Sequence, residues 1–261
     1  MDLGITGKTA LVMSAGGGLG GAIAMALARE GAKVAVSDRS EEALAQTVDK
    51  IRAAGGTASG YVADLGQIDS LDHMVEAVKR DLGAPDILVN NSGGPAPSGA
   101  AGVAAQTWRS QFEAMVLSLM HLTDLVLPDM RAKGWGRIVT STSSGVIAPI
   151  ANLGVSNTLR AALLGWSKTL ANEVAADGVC VNVVLPGRIG TDRIRALDEA
   201  RAHRESRSLD AIVTQSIATI PVGRYGTPEE YGDTVAFLAS ERASFINGSV
   251  IRVDGGMIPS I

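Results

Sequence analysis

The segment Ser14-Ala15-Gly16-Gly17-Gly18-Leu19-Gly20 is the part of this chain best suited to hold a charged ligand. Glycines let backbone approach a diphosphate closely, and a helix that starts there offers free N–H groups and the positive end of its dipole. Eighteen residues past Gly20 stands Asp38, a spacing that suits the acid that hydrogen-bonds an adenosine ribose 2′-hydroxyl. Its carboxylate would repel a 2′-phosphate and so favours NAD(H), while the adjacent Arg39 could grip that phosphate and keeps NADP(H) as the alternative. Asp38 could instead cap the next helix, but Ser40 is available for that task.

Such a turn needs a strand before it and a helix after it. Short β-branched runs at 9–13, 33–37, 58–62, 87–90, 137–140, 179–185 and 249–253 read as strands, the central ones apolar on both faces as parallel strands must be. Amphipathic stretches at 18–30, 41–54, 68–82, 107–133, 153–177 and 228–238 lie between them. Ser40 followed by Glu41 and Glu42 marks a helix start, and Gly55-Gly56 and Gly83 mark stops. This repeated βα pattern predicts an α/β fold, a Rossmann-type doubly wound parallel sheet, in a single domain over 1–261. One segment departs from the alternation: 188–219 carries arginines at 188, 193, 195, 201, 204 and 207 against acids at 192, 198, 199, 205 and 210. That mixture is either a solvated helical surface or, given its place after a strand's carboxyl end, a substrate lid.

Composition excludes several classes. Net charge is −4, which leaves no electrostatic footprint for nucleic acid. The single cysteine, Cys180, precludes an intramolecular disulfide and reads as a small buried hydrophobe. With no secretory leader it points to the reducing cytoplasm. His73, His121 and His203 form no short-spaced ligand motif, so no metal is expected. Mean hydropathy is +0.20, yet each long uncharged stretch is interrupted by Gly, Ser, Asn or Pro, so no membrane span is expected.

Further stretches carry a family resemblance: Gly18-Leu19-Gly20, Ala63-Asp64-Leu65, Asn90-Asn91-Ser92-Gly93, Leu127-Pro128-Asp129-Met130, Gly136-Arg137-Ile138-Val139, Val181 to Gly187 with Thr191, and Val253-Asp254-Gly255-Gly256. In order and spacing they cover nearly the whole chain, which resembles the short-chain dehydrogenase/reductases, especially β-ketoacyl-ACP-reductase-like members. The resemblance implies that Asp64, with Leu65, meets the adenine and that Asn90 helps to hold the sheet and cofactor. It also implies that Ile189, beyond Pro186 and Gly187, lies near the nicotinamide, and that Thr191 contacts its carboxamide or the diphosphate.

The departures from that pattern fall on the chemistry. The family's glycine motif begins Thr-Gly where this chain has Met13-Ser14, so a Cβ enters the tight turn. The family's catalytic Asn, Ser, Tyr and Lys correspond here to Met115, Ser143, Ser156 and Arg160. A serine hydroxyl is a far weaker acid than the phenol it replaces, and Arg160 keeps the positive charge but cannot release a proton near neutral pH. Arg160 can still hold the nicotinamide ribose hydroxyls. Ser143 would hold a substrate oxygen, or it merely ends a strand. Trp108 or Trp135 could line the pocket, whereas Trp166 reads as packing. Of the three tyrosines only Tyr225 stands where it could approach a substrate.

The resulting expectation is an NAD(P)(H)-dependent oxidoreductase acting on a carbonyl or secondary alcohol, 3-oxoacyl-reductase-like, with an atypical proton donor. Two other readings remain: a non-redox lyase or isomerase on the same scaffold, and an inactive dinucleotide-binding protein. The resemblance also implies a homo-oligomer, commonly a tetramer.

Overall fold

The computed structural model describes all 261 residues. Its seven strands are β1 (Thr9–Val12), β2 (Lys33–Asp38), β3 (Thr57–Val62), β4 (Ile87–Asn90), β5 (Gly136–Ser141), β6 (Val179–Pro186) and β7 (Val250–Val253). They form one parallel sheet in the order β3-β2-β1-β4-β5-β6-β7. Every predicted strand is present, displaced by at most one residue at either end. β1, β4 and β5 are buried along their whole length, whereas the edge strand β3 buries only Ala58 fully.

Nine helices flank the sheet: α1 (Gly18–Arg29), α2 (Glu41–Ala53), α3 (Asp69–Leu82), α4 (Ala105–Phe112), α5 (Ser118–Lys133), α6 (Gly154–Val174), α7 (Asp192–Glu205), α8 (Leu209–Ala218) and α9 (Pro228–Leu238). The period of two along each strand sorts the core into two layers. Ala10 and Val12 face one side, where Ile23, Leu27, Val48 and Val235 bring in α1, α2 and α9. Leu11 and Met13 face the other, where Val75, Leu122 and Leu163 bring in α3, α5 and α6. Chain order reverses between β1 and β4, so a crevice opens at their carboxyl ends.

Two expectations need correction. The helix anticipated over 107–133 is broken: α4 gives way to a π-turn at Glu113–Leu117 before α5 begins. Such a turn admits one extra residue per turn and is often found at functional sites. The stretch anticipated as a helix over 153–177 ends α6 at Val174 and closes with a tight turn at Ala175–Asp177. Segment 188–219 folds into α7 and α8, with Arg195–Glu199 and Arg201–Glu205 pairs four residues apart on the α7 surface. No helix is long and apolar enough to cross a membrane.

α1 and α9 approach so closely that a Cβ on Gly232 would stand 2.7 Å from the carbonyl oxygen of Ala22. Gly232→Ala is therefore expected to lower the unfolding free energy in urea by about 1–3 kcal/mol. Gly165→Ala, on α6 with nothing within 4 Å of its added methyl, should instead gain about 0.5–1 kcal/mol.

Candidate active site

The loop from β1 to α1 is built for close approach. Ser14 sits in the left-handed region at φ 48°, where a side chain is disfavoured, so the turn survives its non-glycine residue at some strain. Asn91, just after β4, clasps this turn: its Nδ2 donates to the carbonyls of Met13 and Ser14, both at 3.2 Å. A Cβ on Gly20 would stand 2.3 Å from the Ser14 oxygen, whereas one on Gly17 would project into open space. Gly17 provides no side-chain cap, and the amides of Gly18, Leu19 and Gly20 have no protein acceptor. The helix end is thus left to a ligand, with the positive end of the α1 dipole behind it.

Asp38, at the end of β2, closes one flank. Its Oδ2 accepts from Gly16 N at 2.9 Å and its Oδ1 from Ser40 N at 3.0 Å. Ser40 caps α2 as expected, accepting from Ala43 N. Asp38 is thereby fixed beside the glycine turn, while Arg39 is exposed and has no partner. At the end of β3, Asp64 is exposed and accepts from Gly66 N at 2.9 Å, and Leu65 is buried beneath it.

The carboxyl ends of β4 and β5 gather the remaining groups. Asn90 is fully buried and donates to Thr123 Oγ1 at 3.0 Å. Its Oδ1, with Ser92 Oγ, Thr140 Oγ1 and Thr142 Oγ1, is buried without a partner, an unusual concentration at one sheet edge. Ser143 Oγ accepts from Gly145 N at 3.0 Å and so caps the short turn at Ser144–Val146. Because its oxygen takes the bond, its O–H is left to donate elsewhere. Ser156, in the first turn of α6, makes no side-chain hydrogen bond to the protein.

Arg160, one turn further along α6, is 8% exposed and reaches back to the sheet. Nη2 donates to Ser92 O at 3.0 Å and Gly93 O at 2.9 Å, and Nη1 to Ser141 O at 3.4 Å. No carboxylate pairs with it. Burial pulls the guanidinium down to about 10, still cationic at neutral pH. Met115, in the π-turn, is buried in the apolar layer against α6 and carries no group able to hold a water.

The opposite wall follows β6. Gly187 lies so near Asp254 that a Cβ would meet its Cα at 2.6 Å. Pro186 precedes it, and Ile189 is buried against Gly226. Thr191 caps α7, and its methyl stands 3.9 Å from where a Cβ of Gly18 would lie, so this loop faces the glycine turn. A cavity of about 460 Å³ opens between them, lined by Gly18, Thr191, Asp192, Asp198 and Tyr225 among others.

The aromatic residues sort differently from expectation. Tyr225 is tied into the α7 support, donating to Asp198 Oδ2 at 2.7 Å, and burial raises its phenol further. Tyr231 is fully buried on α9, its hydroxyl 2.8 Å from Ser141 Oγ, so it rather than Tyr225 reaches the end of β5. Burial pushes its phenol far up, a poor proton donor. Trp135 stacks between Lys8 and Arg137 before β5 begins, away from the carboxyl edge, and Trp108 and Trp166 pack against the core.

A sequence profile described as enoyl-(acyl carrier protein) reductase matches residues 14–258. The chain belongs to the short-chain dehydrogenase/reductase family. It is 35% identical over 255 residues to the 3-oxoacyl-[acyl-carrier-protein] reductase FabG of Vibrio cholerae, covering 97% of this chain and 98% of the relative. The same-named protein of Escherichia coli K12 is 37% identical over 254 residues, covering 96% and 97%. The solved structure of L-sorbose reductase from Gluconobacter frateurii, complexed with NADPH and L-sorbose, superposes with a TM-score of 0.94 at 31% identity over the full length of both chains. The chain is accordingly an NAD(P)-dependent oxidoreductase of this family. The glycine cradle, its unsatisfied amides and the orphaned polar atoms beyond β4 and β5 fit a nicotinamide dinucleotide laid across the crevice.

Asn91 braces the glycine turn, and its repeat beside Asn90 is the one signal the sequence carries for it. Tyr231 has no such signal, since it acts across elements distant in sequence. Relieving the strain at Ser14 gives a direct test: Ser14→Gly should raise stability in urea by about 1 kcal/mol. Gly20→Ala should abolish dinucleotide binding by calorimetry, since its methyl would displace the Ser14 carbonyl.

Proposed function

We propose that this chain interconverts a ketone and a secondary alcohol at the carboxyl ends of β4 and β5, without a phenolic proton donor and with NAD(H) as the preferred dinucleotide. The observation that carries this reading is Ser143: Gly145 N already occupies its oxygen, so its hydroxyl proton is free to bind a substrate carbonyl oxygen. When bound, the nicotinamide supplies or accepts the hydride. Gly16 to Gly20 and Asp38 would hold its adenosine and diphosphate end, and Asn90, Arg160 and Thr191 its nicotinamide end. As negative charge develops on the substrate oxygen, Ser143 donates to it, and the buried charge of Arg160 lowers its energy through a water-poor medium. The proton that completes the alcohol comes from solvent through the unpartnered hydroxyl of Ser156, because neither Arg160 nor Tyr231 releases one near neutral pH.

Support for NAD(H) lies in Asp38, pinned by two backbone amides beside the ribose position, and in Gly16, whose missing side chain leaves a 2′-phosphate no donor except its N–H, already given to Asp38. NADP(H) is the second reading, favoured by the exposed, unpaired Arg39 and by the NADPH bound to L-sorbose reductase. Segment 188–219 serves as the lid, latched to the β6 loop through the Arg188–Asp198 pair at 2.7 Å. A β-ketoacyl thioester, as the names of the relatives suggest, belongs in the substrate panel beside free oxo acids. A cytoplasmic homotetramer is the expected form.

Fluorescence titration with NADH and NADPH tests the cofactor reading, and Asp38→Ala should shift the preference toward NADPH by about tenfold, or 1.4 kcal/mol. A carbonyl and alcohol panel followed at the nicotinamide absorbance band tests turnover. Ser143→Ala is expected to lower kcat by about a hundredfold or more. Binding with no turnover across the panel would make the chain a dinucleotide-binding protein, and turnover unchanged in Ser156→Ala would remove Ser156 from the proton path.

A further inference from the structure

Hydride transfer by itself does not require a second cation beside Arg160, yet one is present. Arg193, in the first turn of α7, sends Nη2 to the carbonyl of Pro95 at 2.8 Å. Its Nη2 and that of Arg160 lie 3.2 Å and 3.8 Å from one and the same point, the place a Cβ on Gly94 would occupy. Neither guanidinium forms an ion pair, and the adjacent Asp192 engages neither. Both placements are electrostatically adverse. Arg160 is a buried cation without a counter-ion, which desolvation penalises, and Arg193, exposed in the first turn of α7, opposes that helix's dipole. Arg193 also pushes the Arg160 guanidinium further down. The amides of α1 already await a diphosphate on the glycine-turn side, so this charge is surplus to the dinucleotide's own anion site.

The neighbouring space has matching character. Two residues along the same loop, Pro97 opens a cavity of about 300 Å³ walled by Ile150, Leu153 and Leu197 and edged by Arg188, Arg204 and the Arg201–Glu205 pair. Arg188 is neutralised by Asp198, and Arg204 is unpaired. A cavity of this size, reached along the loop that carries Gly94 and Pro95, has room for a short carbon chain whose acid group stays at the two guanidiniums.

We infer that the substrate is a small oxo or hydroxy acid whose carboxylate is received between Arg193 and Arg160, with its carbon chain in the cavity beyond Pro97. The inference rests on the dehydrogenase reading for the word substrate, but not for the anion site. Arg193 is the direct donor; Arg160, already holding three carbonyls, supplies field and one remaining edge. A bidentate guanidinium contact with a carboxylate discriminates strongly against the neutral amide of the same shape.

The test is calorimetric and needs no turnover. 2-Oxobutanoate, 3-oxobutanoate and 3-oxohexanoate, each against its own amide, are titrated into the protein alone and into the protein saturated with NAD⁺. At least one acid should bind about tenfold more tightly than its amide, and Arg193→Gln should erase that preference while dinucleotide affinity stays within about twofold. Arg193→Lys should restore part of it. The proposal is overturned if no acid outbinds its amide. It is equally overturned if Arg193→Gln weakens the dinucleotide about tenfold and leaves the acid preference intact, which assigns the pair to the cofactor diphosphate. Should NAD⁺ fail to bind at all, the dehydrogenase reading falls, and the titrations of the protein alone still decide the anion site.

Discussion

Arg160 is a full positive charge taken out of water with no anion beside it, and the carboxyl edge of the sheet is arranged around that fact. Its Nη atoms are held by three main-chain carbonyls, two just beyond β4 and one at the end of β5. Carbonyl dipoles offset part of the desolvation penalty without removing the charge. The same contacts fasten α6 to both strand ends, so the guanidinium positions Ser156 one turn before it and braces the β4 loop opposite Ser143. From the far side of the sheet, Tyr231 bonds to the Ser141 side chain, two residues from Ser143. A lysine, with one compact ammonium, could not span these acceptors in a plane.

The dinucleotide half of the crevice depends on a different device, the removal of side chains. Gly20 lets the first turn of α1 press on the Ser14 carbonyl, and Asn91 ties that carbonyl to the end of β4. The free amides that result are aimed by the backbone rather than by flexible side chains, so they require no reordering when an anion arrives. Ser14 shows that the turn tolerates a Cβ when neighbouring contacts over-determine its conformation.

Between the two halves stands α7. Thr191 sets its start beside the glycine turn, Asp198 anchors it to Arg188 and Tyr225, and Arg193 reaches across to Pro95. The helix therefore touches the glycine turn through one residue and the loop beyond β4 through another. Within segment 188–219, Arg188, Arg193 and the buried Asp198 bond to other elements, while Arg195–Glu199 and Arg201–Glu205 are surface pairs of the kind its composition suggests.

Strand runs, the glycine turn, Asp38 and the Ser40 cap were legible because each is a local signal: periodicity, a missing Cβ, or a polar residue a few positions from the amide it caps. The Ser156–Arg160 spacing, one turn apart on α6, was legible too. The π-turn at Glu113–Leu117 was not, because its hydrophobic pattern differs by one residue from a continuous helix. Nor were the meeting of Arg160 with Arg193 or the reach of Tyr231 to Ser141, pairs separated in the chain and joined only where helices cross the sheet edge. The sequence by itself determined the fold and the spacing of Ser156 and Arg160 on one helix, since both follow from residue type and order. Tertiary structure alone decided where uncompensated charge collects, because the energy of a buried cation depends on the distances of every dipole and charge around it, and local patterning carries no information about those.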